Sequence, residues 1–192
     1  MRNTWIRRIS AIRKDGVESA INLTCGLNCI IGASNTGKTR IAKTVEFACG
    51  GKELPFTDKT AYEIAQVTFV TNGGEVSLSR SIHVQNTIHV KSSNPMIIPG
   101  SYSVSSRAGK SINTVLLALL GVESTRRIAT NETYHTVAFT WNAIRHLMIV
   151  PEDQIGRARP SILFPKSTSL ATLTQSLSSL LVLVKKEKID NS

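Results

Sequence analysis

The chain has 192 residues, of which 41% are hydrophobic and 19% are charged, so its composition is that of a globular protein with one sizeable core. Its 23 Lys and Arg residues against 13 Asp and Glu residues give a formal net charge of +10, which favours polyanionic partners such as nucleotides or nucleic acid. The longest late apolar run, at 180–184, is far shorter than the roughly 20 residues of a membrane-spanning helix, so we expect a soluble protein without a membrane partner.

The three cysteines indicate a reducing compartment. Cys25, Cys29 and Cys49 have neither the spacing of a paired disulfide framework nor that of a C-x-x-C metal motif. Because structural disulfides are typical of oxidising environments, we expect a cytoplasmic protein.

The first predicted element is a β-hairpin. Apolar and polar residues alternate over 4–14 and again over 17–24, and the turn sequence Lys-Asp-Gly separates the two runs. We expect this hairpin to lie beside the strand that follows it.

An apolar run at 27–32 predicts that next strand, and it leads directly into GASNTGKT at 32–39. This segment fits the P-loop pattern Gly, four residues, Gly, Lys, Ser/Thr, which arises by chance in on the order of one chain per hundred of this length. After Gly37, apolar residues recur at helical spacing from Ile41 to Ala48. In a strand, loop and helix of this kind, the N–H groups of the loop converge on phosphates at the positive end of the helix.

A second β-hairpin is predicted at 61–70 and 75–84, which flank the turn sequence Thr-Asn-Gly-Gly. Arg80 falls on the apolar parity of the second strand, where it is either a paired or snorkelling side chain at the sheet edge or a contact to nucleotide or DNA. The apolar residues expected on one face are Ala65, Val67, Phe69, Val76, Leu78 and Ile82.

Residues 92–111 are rich in Ser, Pro and Gly and predict a flexible loop. The Gly-Lys-Ser at its end lacks the partner glycine of a second phosphate loop, since that position is Val104, so we interpret it as a helix start. The following helix should end at Gly121. Further on, a strand or helix should bury Phe139, Trp141 and Ile144, and leucines at helical spacing follow.

Three segments, IRRISAIRKDG, INLTCGLNCIIGASNTGKTRIAKTVEFACGG and VTFVTNGGEVSLSRSI, together resemble the N-terminal half of the ATPase head in SMC and SbcC-like proteins. These are ABC-type ATPases of chromosome structure and double-strand-break repair. The resemblance covers about 4–84 and is looser over 110–184. It implies an α/β P-loop NTPase fold, an incomplete head lobe with an antiparallel β-subdomain beside the P-loop strand and helix, and a role in DNA repair or DNA-related defence.

The resemblance also implies a site for ATP and Mg²⁺. Lys38 would neutralise the β- and γ-phosphate oxygens, and Thr39 would ligate Mg²⁺. Gln154 would be catalytic, as a Q-loop residue that helps to hold Mg²⁺ and the attacking water, although it could equally be a solvated loop residue beside Glu152 and Asp153. The residues expected to contact the nucleotide are Gly32, Ser34, Asn35, Thr36, Gly37, Lys38, Thr39 and Arg40.

Heads of this family complete hydrolysis with a signature segment, a strand ending in Asp-Glu and a switch histidine, and no such segments are evident in this sequence. We therefore predict ATP binding without turnover until a complementary C-terminal head lobe or a second head is supplied, with DNA as a further possible partner. The predicted organisation is an ATPase lobe at 1–91, a flexible loop at 92–111, a helical region at 112–184 and a charged stub at 185–192. Without the second lobe, an apolar sheet edge should be exposed.

Two other functions are compatible with the sequence. The first is a self-contained small P-loop NTPase or kinase, with Glu152 or Asp153 on the Mg²⁺ side and Arg157 or Arg159 on the phosphates. The second is a basic nucleic-acid-binding protein without hydrolysis, whose cation excess provides the affinity.

Overall fold

The computed structural model describes residues 4–57, 60–105, 108–122, 127–129 and 136–150. The chain forms two compact units, of which one is Arg2–Leu119 and the other contains the chain from Leu120 onward. The first unit carries the sheet and the P-loop sequence.

Six strands form one antiparallel sheet in the first unit, in the order β2-β1-β3-β4-β5-β6. The strands are β1 (Trp5–Arg13), β2 (Glu18–Asn22), β3 (Tyr62–Thr71), β4 (Gly74–Ser81), β5 (Thr87–Ser92) and β6 (Gly100–Ser103). Two helices belong to the same unit, α1 (Lys38–Ala48) between β2 and β3, and α2 (Ile112–Leu119) after β6.

Both predicted β-hairpins are confirmed. The strands β1 and β2 pair around a turn at 14–17, and β3 and β4 pair around Asn72 and Gly73 with Val67 opposite Leu78. Local alternation and a short turn suffice to predict them, because both fix the register between residues that are close in sequence. On the predicted apolar face, the fully buried side chains are Ala65, Val67, Val76 and Leu78.

Helix α1 covers the apolar face of the sheet. Phe47 is fully buried in a cluster with Phe56, Ala65 and Ile82. One residue further on, Ala48 packs in a second cluster with Ile9 and Val67. Burial of a large side chain such as Phe stabilises the fold by about 1.5–3 kcal/mol, so these contacts fix the helix against the centre of the sheet.

Arg80 ties the carboxyl end of α1 to the sheet. Its side chain is only 3% exposed, and Nη1 donates to the carbonyl oxygens of Phe47 and Gly51 at 2.6 Å each. Nε and Nη2 donate to the carbonyl oxygen of Gln85 at 2.8 and 2.5 Å, and the guanidinium lies 4.0 Å from the ring centre of Phe47. Of the two interpretations of this arginine, the structure therefore shows the paired one.

The predicted loop at 92–111 contains a strand. Within it, β6 pairs with β5, so that Tyr102 lies opposite Ile88 and both side chains are buried. The Tyr102 hydroxyl donates to the carbonyl of Ile98 at 2.6 Å. The helix predicted after this segment is confirmed as α2, and the chain leaves it through Gly121 with φ 74°.

The described part of the second unit contains β7 (Arg127–Ala129) paired with β8 (Thr136–Ala138), and the helix α3 (Trp141–Met148). Phe139 and Ile144 are fully buried, as predicted, whereas Trp141 is half-buried. The leucine-rich helix and the charged stub predicted beyond 150 lie outside the described residues.

The prediction of an α/β P-loop NTPase fold is wrong. The structure is dominated by the antiparallel six-stranded sheet, and the apolar run at 27–32 forms no strand. The physical reason is that a strand at the centre of a parallel sheet needs neighbours on both sides, and the described strands provide none for this segment. Within the described residues, no helix reaches the length and hydropathy that crossing a membrane requires.

Candidate nucleotide-binding loop

The P-loop sequence forms a tight turn at the start of α1. Asn35 has φ 62° and Gly37 has φ 90°, so the chain passes twice through the left-handed region before the helix begins. Gly37 is the N-cap residue, a position at which its missing Cβ removes the steric penalty of a positive φ. The second glycine of the motif therefore has a defined structural role.

The first helical hydrogen bonds close on this glycine. The N–H groups of Arg40 and Ile41 donate to the carbonyl oxygen of Gly37 at 2.9 and 3.3 Å. The N-cap makes no side-chain cap hydrogen bond, and the first turn of α1 contains no acidic residue. The positive end of the helix is thus not offset by a carboxylate of its own first turn, which favours an anion there.

The loop folds around the ammonium group of Lys38. Nζ donates to the carbonyl oxygens of Gly32 at 2.8 Å and of Ala33 at 2.5 Å, and lies 3.4 Å from Oγ1 of Thr36. The Thr36 hydroxyl in turn donates to Ala33 at 2.8 Å. A Cβ on Gly32 would lie 3.0 Å from Oγ1 of Thr36, a tight contact that would displace the Thr36 side chain slightly. The motif residues therefore form one connected ring of hydrogen bonds.

An ammonium group has three N–H donors, and the carbonyl oxygens of Gly32 and Ala33 accept two of them. The third N–H donor is at most weakly engaged, because Nζ lies 3.4 Å from Oγ1 of Thr36. The loop therefore holds the Lys38 ammonium group in place, and one of its N–H donors can still form a charge-assisted hydrogen bond. Such bonds are about twice as strong as neutral ones, so a phosphate oxygen is a suitable acceptor.

Two further cations lie on the first two turns of α1. Arg40 is exposed, and no ion pair joins it to any described carboxylate. Lys43 pairs with Glu53 at 3.0 Å between Nζ and Oε2. The local field around the loop is therefore positive, with Lys38 and Arg40 contributing most directly.

The segment before the loop is folded back on itself. Asn28 accepts from the backbone N–H of Thr24 at 3.0 Å through Oδ1, and Nδ2 donates to the carbonyl oxygens of Thr24 at 2.8 Å and Gly26 at 3.1 Å. Leu27 and Ile31 are 94% and 92% exposed. No backbone hydrogen bond joins 27–31 to any other described residue. The predicted P-loop strand is therefore an apolar segment that has no strand partner among the described residues.

The predicted nucleotide contacts lie together at the junction of this loop and helix. Thr39, the predicted Mg²⁺ ligand, is in the first turn of α1, where a hydroxyl oxygen is a suitable ligand for a hard cation that also binds phosphate. Gln154, predicted to be catalytic and to help hold Mg²⁺, lies outside the described residues. Within the described part of the chain, no cluster of three or more His, Cys, Asp or Glu side chains could hold a metal ion.

No protein-family model matches this chain, and no curated protein matches it. The functional interpretation therefore depends on the geometry of the loop and on the sequence resemblance. Sequence reasoning missed the clamp formed by Asn28, and the only available signal was an asparagine two residues before the apolar pair Ile30 and Ile31. It also did not identify the ring of carbonyl oxygens around Lys38, because side-chain contacts within a loop are not encoded in a spacing pattern.

Proposed function

We propose that this chain binds ATP together with Mg²⁺, as the N-terminal part of an SMC or SbcC-like ATPase head in DNA repair or DNA-related defence. The observation that carries the proposal is the closed loop at 32–37, which holds the Lys38 ammonium at the positive end of α1. Loop amides, a helix terminus and a lysine are the three elements with which P-loops bind a triphosphate.

A triphosphate suits this site better than a single small anion. Lys38 at the loop and Arg40 two residues further along α1 place two cations near the helix start. The Thr39 hydroxyl between them would ligate the Mg²⁺ that bridges two phosphates. A chain of three phosphates can engage all of these groups at once, so its affinity should exceed that of inorganic phosphate.

Hydrolysis by this part of the chain alone is not expected. Phosphoryl transfer requires a positioned water and charge stabilisation on the far side of the γ-phosphate, and the loop supplies only the near side. A complementary C-terminal lobe or second head would supply the far side.

The test is equilibrium binding of ATP with and without Mg²⁺ by titration calorimetry. The native chain should bind in the micromolar range, and Lys38→Ala should weaken binding at least tenfold, since one charge-assisted bond contributes about 1.5–3 kcal/mol. Lys43→Ala is the matched control, because Lys43 lies on the same helix but pairs with Glu53. Equal affinity of the native chain and Lys38→Ala would contradict the proposal, as would rapid turnover by this chain alone.

The net charge of +10 favours one second candidate, a nucleic-acid-binding protein that does not use nucleotide. In that case DNA binding should weaken steeply as salt concentration rises, and neither ATP nor Lys38→Ala should alter it. DNA affinity that depends on ATP would instead support the ATPase proposal.

A further inference from the structure

Two of the three thiols in this chain lie four positions apart in the sequence and are open to solvent. Cys25 and Cys29 are both exposed, and three residues, 26–28, separate them in the sequence. Cys49 is buried, and burial raises the pKa of its thiol to about 12. Because the thiolate is the reactive form, Cys49 should be inert and serves as an internal control.

The bend at 24–28 brings this part of the chain into a compact form. A side-chain amide reaches only ~3.5 Å from its own Cα, so the 3.0 Å bond from Thr24 to Asn28 holds the two Cα atoms within roughly 8 Å. In an extended strand, residues four apart would be separated by about 13 Å. Gly26, with φ 101°, supplies the reversal.

A disulfide between Cys25 and Cys29 is compatible with the bent form only. Bridged cysteines need Cα atoms within about 7 Å of each other, which an extended strand exceeds nearly twofold. The backbone at Cys29 can move slightly towards Cys25, because no backbone hydrogen bond joins Cys29 to another described residue. Closing a ring of only five residues also has a small entropic cost.

We propose that Cys25 and Cys29 form a redox dithiol whose oxidant is a small-molecule disulfide of the glutathione type, and that its oxidation locks the bent form of 24–29. The site goes beyond nucleotide binding, and the dithiol chemistry does not depend on that function.

The chemistry is a pair of thiol–disulfide exchanges. The thiolate of one cysteine attacks a sulfur of oxidised glutathione, a mixed disulfide forms, the S–S bond of the oxidant breaks and one glutathione leaves as thiolate. The second cysteine then attacks the cysteine sulfur of the mixed disulfide, which forms the Cys25–Cys29 bond and releases the second glutathione. The protein loses two electrons and two protons, and oxidised glutathione is reduced to two thiols.

The experiment is incubation of the reduced full chain with oxidised glutathione in the absence of nucleotide, followed by alkylation and mass spectrometry of the intact chain and its peptides. We expect one intramolecular bond between Cys25 and Cys29, seen as the loss of two hydrogen atoms, with Cys49 alkylated only after unfolding. Cys29→Ser should instead retain one glutathione at Cys25, because no second thiol can displace it.

Four results would overturn the proposal. They are glutathione retained on both cysteines of the native chain, a disulfide between two chains, a disulfide that includes Cys49, and no reaction. Because nucleotide is absent, a failure of ATP binding at Lys38 leaves this measurement unaffected, so the two proposals fail independently.

Discussion

Arg80 is the side chain with the most concentrated set of interactions in the sheet unit. It is 3% exposed, and four donor contacts from its guanidinium reach three carbonyl oxygens, two at the end of α1 and one at Gln85. Burial lowers the pKa of Arg80 to about 10, so it remains charged at neutral pH. In the described residues no carboxylate forms an ion pair with it, and carbonyl dipoles and the Phe47 ring compensate for its desolvation.

We predict that Arg80→Met lowers the free energy of unfolding by about 3 kcal/mol, because three buried carbonyl oxygens lose their donors while the apolar stem is retained. Urea denaturation followed by circular dichroism measures the effect. The matched control is Arg8→Met, which removes an exposed pair with Glu18 and should change stability little. If the two variants unfold at the same urea concentration, the clamp does not stabilise α1 as described.

At the scale of elements, the segment at 27–31 is an exposed apolar stretch without a strand partner among the described residues. Leu27 and Ile31 are almost fully exposed, and the backbone between them has no hydrogen-bonded neighbour in the described chain. Such a segment is a template for pairing with another strand. Met96 and Ile98 are also exposed, at 77% and 69%, but the loop that carries them is held by hydrogen bonds such as Ile97 N–H to Asn94 at 3.1 Å.

We predict that the double variant Leu27→Ser and Ile31→Ser reduces self-association of the chain, while its free energy of unfolding stays within about 0.5 kcal/mol of the native value. Sedimentation velocity over a range of protein concentrations measures the association. The control pair Met96→Ser and Ile98→Ser should leave it unchanged. Undiminished association of the first variant would show that these side chains do not form the contact.

The contrast between elements explains what the sequence could predict. The two hairpins and α2 follow from alternation, an Asn-Gly turn and helical spacing, all of which act between nearby residues. The segment at 27–32 has the composition of a strand, but strand formation there depends on neighbours far away in sequence, which composition does not report. The strand β6 was missed for the related reason that Ser, Pro and Gly dominate 92–111, while pairing with β5 decides the outcome.

At the scale of the whole molecule, the sheet of the unit Arg2–Leu119 is the base on which α1 and the loop before it are held. Helix α1 is anchored at its carboxyl end by Arg80 and by the buried Phe47, so its amino end, with Gly37 and Lys38, is presented from a fixed element. The grouping of the candidate nucleotide-binding residues could be predicted from the sequence, because a P-loop is one contiguous segment. Gln154 is far from the loop in sequence, so contiguity does not predict its position, and it lies outside the described residues.

We propose that the loop at 32–37 and the start of α1 bind a triphosphate. The most direct measurement is a titration of the ¹⁵N-labelled chain with Mg-ATP, monitored through the backbone amide resonances. We predict that the largest, saturable shifts occur at 32–40, that Lys38→Ala abolishes them, and that the amides of β3 and β4 do not move. Resonances of 32–40 that stay in place at millimolar Mg-ATP, or shifts confined to other parts of the chain, would contradict it.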